Sequence, residues 1–248
     1  PFRREKNSWY AHKLGSTTDS DITWLKNKPW GNFRFSQSGL SGETFGPLNH
    51  WPVNKMDLDF CAISDRGMEE ISKFKTLEVL NLTGNKFTDS GLDQLESLPL
   101  LKRVSLQKCP EITAPGIERF VKHNPKLTEL KLGKNKFNRD CLKAIAALKH
   151  LSGVNLNDLN LNDEDMKILS QNKSLSSIDV ADNKGITDKG LQYLAKIPNL
   201  KKVRITRCSY TDDGITAFNK LKPNCKVDTE RRKGELEKFA DEVEDFFK

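Results

Sequence analysis

Residues 77–85 read Leu77-Glu78-Val79-Leu80-Asn81-Leu82-Thr83-Gly84-Asn85, and the fold turns on how often this phrase returns. Apolar side chains at its first, fourth and sixth places alternate with polar ones, as in a short strand with one buried face. The same phrase opens at Leu101 (LKRVSLQKC), Leu127 (LTELKLGKN), Leu151 (LSGVNLNDL), Leu175 (LSSIDVADN) and Leu200 (LKKVRITRC), in steps of 24, 26, 24, 24 and 25 residues. A divergent copy, VNKMDLDFC, starts 24 residues upstream at Val53. Gly31-Asn32-Phe33-Arg34-Phe35 is a weaker copy still, and Leu221-Lys222-Pro223-Asn224-Cys225-Lys226-Val227 begins a ninth strand without completing it.

Ten residues or so into the phrases at Leu77 and Leu175, a Phe or Ile is followed by Thr-Asp-x-Gly-Leu, at Phe87 to Leu92 and Ile186 to Leu191. The apolar spacing then becomes helical, with Leu92 and Leu95, or Leu191 and Leu194, three apart. Thr88 with Asp89 and Thr187 with Asp188 suit the helix N-terminus, where short oxygen-bearing side chains satisfy otherwise unpaired N–H groups.

The ninth place holds Cys61, Asn85, Cys109, Asn135, Leu159, Asn183 and Cys208. A side chain buried where the chain leaves the strand must satisfy the turning backbone. Asn does so with its amide, and a thiol does so weakly while filling apolar volume. Cys61, Cys109 and Cys208 are therefore assigned to structure, buried and unpaired, and Leu159 marks the repeat in which an irregularity is expected.

This pattern, LxxLxLxxN/C over residues 53–228, resembles the leucine-rich-repeat family, in the cysteine-containing subtype of 24 to 26 residues among the ribonuclease-inhibitor-like solenoids. The resemblance implies an α/β horseshoe: seven parallel strands, beginning near Val53, Leu77, Leu101, Leu127, Leu151, Leu175 and Leu200, on a concave sheet, each followed by a helix on the convex side.

Residues 1–52 hold all four tryptophans, Trp9, Trp24, Trp30 and Trp51, and are expected to form an aromatic-rich cap over the first repeat. Within residues 1–30 only Ile22 to Leu25, after Ser20-Asp21, looks helical, which is too little for a ligase-recruiting helical domain. In residues 229–248, Leu236, Phe239, Ala240, Val243 and Phe247 fall on one stripe between Glu235 and Lys248, so a C-terminal amphipathic helix is expected as a second cap. Its many carboxylates make it a poor membrane-surface helix. The chain opens Pro1-Phe2-Arg3-Arg4 without Met, as a processed chain or a piece of a longer one would.

Composition narrows the function. Five cysteines, an odd number, are scattered without a CxxC, and no histidine lies three or four residues from another histidine or a cysteine. No disulfide framework, metal site or cofactor is expected, and the thiols imply a reducing intracellular compartment, cytoplasm or mitochondrial matrix. No apolar run reaches membrane-spanning length. The 41 basic against 34 acidic residues give +7 and a pI near 9.1, a lean toward acidic partners. GxSxG, P-loop, GxGxxG and HExxH motifs are absent, so no catalytic residues are expected.

On a sheet of this kind the third, fifth and seventh places alternate with the buried leucines and face a partner. The expected contact residues are Lys55, Asp57, Asp59, Arg103, Gln107, Glu129, Lys131, Asn155, Asp179, Lys202 and Arg204, with Arg207 at the rim. Asp57 and Asp59 make one end acidic, and Lys202, Arg204 and Arg207 make the other basic. Mixed sign with small polar residues suits protein contact, whereas nucleic acid would need a continuous basic stripe with stacking platforms. The expectation is a non-catalytic protein-binding module within a larger assembly. The alternative is the recognition region of a larger signalling protein, such as a ligase adaptor or a bacterial membrane kinase.

Overall fold

The structure is a computed structural model that describes residues 3–5, 8–11, 18–20, 32–136 and 139–229. It comprises two compact units, Pro1–Leu127 with Asn135–Asn138, and Thr128–Lys134 with Arg139–Lys248. The expected C-terminal amphipathic helix, the Ile22 to Leu25 candidate, Trp24 and Trp30 lie outside the described residues.

The first unit contains β1 (Arg3–Glu5), β2 (Ser8–Ala11), β3 (Asn32–Phe35), β4 (Lys55–Asp57), β5 (Val79–Asn81) and β6 (Arg103–Ser105), side by side in chain order. β1 and β2 pair antiparallel, and every pairing from β2 to β6 is parallel. Its helices are α1 (Asp65–Ile71), α2 (Asp89–Asp93) and α3 (Ala114–His123). The second unit repeats the scheme with β7 (Glu129–Lys131), β8 (Gly153–Asn155), β9 (Ser177–Asp179), β10 (Lys202–Arg204) and β11 (Lys226–Asp228), all parallel to their neighbours. Its helices are α4 (Leu142–Ala146), α5 (Asp163–Leu169), α6 (Asp188–Leu194) and α7 (Asp212–Leu221).

All seven expected strands are present, and the two weak copies are strands as well. β3 is hard to see in the sequence because Phe33 and Phe35 stand where leucines stand elsewhere; both are 1% exposed. The first, fourth and sixth places form the core with the helical residues at matching positions. Leu77, Leu80, Leu82, Leu92 and Leu95 are all fully buried in the first unit, as are Leu175, Val180, Ile186 and Leu194 in the second. Burial on that scale, repeated every turn, is what stabilises each unit.

At the ninth place Asn85 donates to the carbonyls of Leu58 and Leu82 at 2.8 and 2.9 Å and accepts from the Ile63 N–H at 3.0 Å. The thiols of Cys61 and Cys109 reach the carbonyls of Phe35 and Leu82 at 3.3 Å. Cys208 makes the same contact to Val180 but is only half-buried, because it sits in the last full repeat, where less packs over it. At Leu159, which has no polar group to offer, the repeat carries an additional left-handed residue, Asn160, after Asp158.

Thr88, Thr113, Thr187 and Thr211 cap α2, α3, α6 and α7 through their hydroxyls, and Asn162 caps α5 in a capping box with Asp165. Among the described residues no helix is long and apolar enough to cross a membrane.

Candidate binding surface

Adjacent strands lie about 4.8 Å apart, so side chains at one place of successive repeats meet in a row. In the first unit the fifth place brings Arg34, Asp57, Asn81 and Ser105 into register. Arg34 Nε donates to Asp57 Oδ2 at 3.0 Å and Asn81 Nδ2 to Asp57 Oδ1 at 2.8 Å. The Thr83 hydroxyl bonds Asn81 Oδ1 at 2.7 Å and shares a 2.8 Å hydrogen bond with Ser105. Burial, reinforced by the neighbouring Asp59 charge, pushes the Asp57 carboxyl up to about 7 against the pull of Arg34. Burial also raises Asp59, opposed by a hydrogen bond from Ser36.

In the second unit the corresponding row is Lys131, Asn155, Asp179, Arg204 and Asp228. Arg204 lies between two carboxylates, with Nη1 3.2 Å from Asp179 Oδ2 and Nε 3.6 Å from Asp228 Oδ2. Asn155 Nδ2 donates to Asp179 Oδ2 at 3.1 Å.

The expectation of an open contact face is therefore corrected at five of its residues. Asp57, Asp59, Gln107, Asn155 and Arg204 are buried. Short polar side chains in register at strand spacing bond to one another and leave little surface for a partner. Lys55, Arg103, Glu129, Lys131 and Asp179 are half-buried, while Lys202 and Arg207 are exposed. The expected basic rim is also partly neutralised from within, because Arg204 serves Asp179 and Asp228, and Arg207 Nε pairs with Asp182.

The eighth place, which the alternation rule overlooked, follows each strand end: Gln37, Asp158 and Arg207 are exposed there, and Phe60, Gly84, Lys108, Lys134 and Asp182 are half-buried. Gln37, Phe60, Gly84, Lys108, Lys134, Asp158, Asp182 and Arg207 all adopt left-handed backbone conformations, with φ between 51° and 75°. A left-handed residue at each strand end turns the chain outward and puts its side chain on the rim. Only one of the eight is glycine, so no composition signal marked the row; its signal is position alone, one residue before the ninth place. In the first unit the Phe60 ring lies against Gly84, where any Cβ would strike it, and Lys108 Nζ stands 5.2 Å from the ring centroid. In the second unit Lys134, Asp158, Asp182 and Arg207 line a polar groove of about 750 Å³ together with Lys184, Cys208, Ser209, Tyr210 and Thr229.

The family profile described as "Leucine Rich repeat" matches residues 75–95, 123–146 and 171–195. No curated protein sequence matches the chain. Among solved structures, the fold is similar to that of an internalin (inlF) from Listeria monocytogenes str. 4b F2365. The TM-score is 0.57 at 16% identity over 86% of this chain and 71% of that one. It is also similar to internalin C2 (inlC2) of the same strain, with a TM-score of 0.51 at 19% identity over 90% of this chain and 80% of that one. At such identities the likeness concerns the fold. The chain thus carries the leucine-rich repeat, and its fold is the α/β leucine-rich-repeat solenoid.

Proposed function

We propose that the chain is a non-catalytic protein-binding scaffold, an accessory or assembly subunit of a larger complex in a reducing compartment, the mitochondrial matrix or the cytoplasm. The observation that carries this reading is, in each unit taken by itself, the set of eighth-place side chains at the strand ends. It is a surface the repeat holds rigidly and does not use for its own core. The reducing compartment is supported by five cysteines that form no disulfide, all but one of them buried. Cys61, Cys109 and Cys208 at the ninth place favour the cysteine-containing subtype.

The same reading assigns residues 1–52 and 229–248 to the two ends as caps. At the last repeat Leu221 is 62% exposed and Val227 half-buried, whereas their counterparts one repeat earlier, Ile197 and Val203, are fully buried. A chain ending at Thr229 should then melt lower than the full chain.

To test the function, the tagged full chain and a variant with Lys134→Glu, Lys184→Glu and Phe60→Ser would be used for affinity purification from native extract. Defined proteins enriched with the wild type and lost with the variant are expected. Equal recovery with both would overturn the assignment to the rim.

A further inference from the structure

The groove on the second unit has a charge pattern that is only partly balanced from within. Asp182 is engaged by Arg207. Lys134 and Lys184 have no ion pair among the described residues, and Asp158 is the one groove carboxylate that likewise has none. Lys134, Asp158 and Asp182 occupy the same place on consecutive strands, and Lys184 follows Asp182 by two residues. Two strand steps separate the first lysine from the second, roughly 10 Å, which an extended peptide covers in about three residues. Asp158 lies between the lysines. A second carboxylate above it would be repelled, and a donor or cation there would be held.

Ser209, Tyr210 and Thr229 add polar residues to the lining of the groove, with the Ser209 hydroxyl donating to the Lys184 carbonyl at 2.7 Å. Burial raises the Tyr210 phenol above its ordinary value, so it stays a neutral hydroxyl at physiological pH. A polyanion such as nucleic acid is disfavoured, since Asp158 between the two lysines would oppose a uniform run of phosphates.

We propose that this groove binds an extended segment of a partner protein in which two acidic residues, two to four positions apart, pair with Lys134 and Lys184 and flank a basic or donor side chain over Asp158. This rests on the protein-binding reading above and specifies the chemistry of the partner.

The probe is the peptide Ser-Gly-Glu-Gly-Lys-Gly-Glu-Gly-Ser, titrated into isotope-labelled full chain and followed by amide chemical shifts. Its counterpart with Glu and Lys exchanged serves as control. Shifts centred on Lys134, Asp158, Lys184 and Arg207, with affinity on the order of 1 mM and weakening with salt, are expected for the first peptide only. Lys134→Glu with Lys184→Glu should weaken it about tenfold or more. None of these side chains belongs to the core, so an unchanged spectrum elsewhere verifies that the variant is folded. Absence of shifts, equal binding of both peptides, or shifts confined to the strand face would overturn the proposal. The affinity purification separates the two readings. If the peptide fails while proteins are still lost from the rim variant, only the acidic-segment proposal falls; if the rim variant also retains every protein, the binding-surface reading falls with it.

Discussion

Both oxygens of the Asp188 carboxylate are taken by Thr211: the threonine main-chain N–H donates to Oδ1 at 2.8 Å and its hydroxyl to Oδ2 at 2.7 Å. The same pairing joins Asp65 to Thr88, Asp89 to Thr113 and Asp163 to Thr187. The Thr that caps one helix is thus fixed by the Asp that opens the helix before it. The glycine of Thr-Asp-x-Gly completes the arrangement, because a methyl group on Gly214 would occupy the space of the Asp188 carboxylate. Where Arg139 stands in place of the Asp, the following repeat has Asp165 in place of the glycine, and the two form a 2.7 Å ion pair.

Gly214→Ala is expected to destabilise the protein by about 2 kcal/mol even though Ala is the better helix former, because the carboxylate it meets is hydrogen-bonded in place. Asp188→Ala alone should cost about 0.5–1 kcal/mol through loss of support for the cap. In the double variant the cost of Gly214→Ala should largely vanish, as the clashing group is gone. Chemical denaturation of the four proteins measures this coupling; strict additivity would refute the steric explanation.

Arg204→Ala should cost about 3 kcal/mol, since it leaves Asp179 and Asp228 facing one another across a side chain that is only 10% exposed. Lys202→Ala, on the neighbouring exposed position, should stay within about 0.5 kcal/mol of wild type. Thermal or urea unfolding compares the two, and a Tm unchanged by Arg204→Ala would show that the ion-pair row does not hold.

Stability should also fall as pH rises from about 4 to about 7. The Asp57 carboxyl is raised to about 7 by burial and by Asp59, so the folded chain keeps a proton that the unfolded chain has already released across that window. Unfolding free energies from urea titrations at pH 5 and pH 8 are expected to differ by an amount on the order of 2 kcal/mol, with the lower stability at pH 8. Asp57→Asn, which keeps the acceptor for Asn81, should flatten the profile; an equally steep profile in that variant would assign the proton elsewhere.

Alkylation of the thiols should follow burial. Burial pushes Cys109 up to about 12 and Cys61 and Cys208 up to about 11, so little thiolate exists near neutral pH. Cys109 should label only on unfolding, and Cys208, the half-buried one, first among the three. Mass spectrometry of partially alkylated protein gives the order, and Cys109 reacting ahead of Cys208 would contradict the packing described for the ninth place.

The repeat, its period, the strand and helix of each turn and nearly all of the core were legible in the sequence, because they rest on local spacing of apolar residues. Leu77, Leu80 and Leu82 identify a strand without reference to any neighbour. β3 and β11 were legible only faintly, since aromatic residues or a broken phrase stand in for the leucines. β1 and β2 lie in a segment whose sequence carries no such phrase.

Which polar residues face outward was decided by the tertiary structure. Asp57 and Arg204 look like surface charges in a linear reading, yet each meets partners about 24 residues away that only the stacking of strands brings within hydrogen-bond distance. Lys134 and Asp158 gain their prominence from a left-handed backbone that their side chains do not advertise. Apolar burial follows a period that one repeat contains in full, whereas the fate of a charge depends on the residue opposite it in the next repeat, and that pairing exists only once the chain has folded.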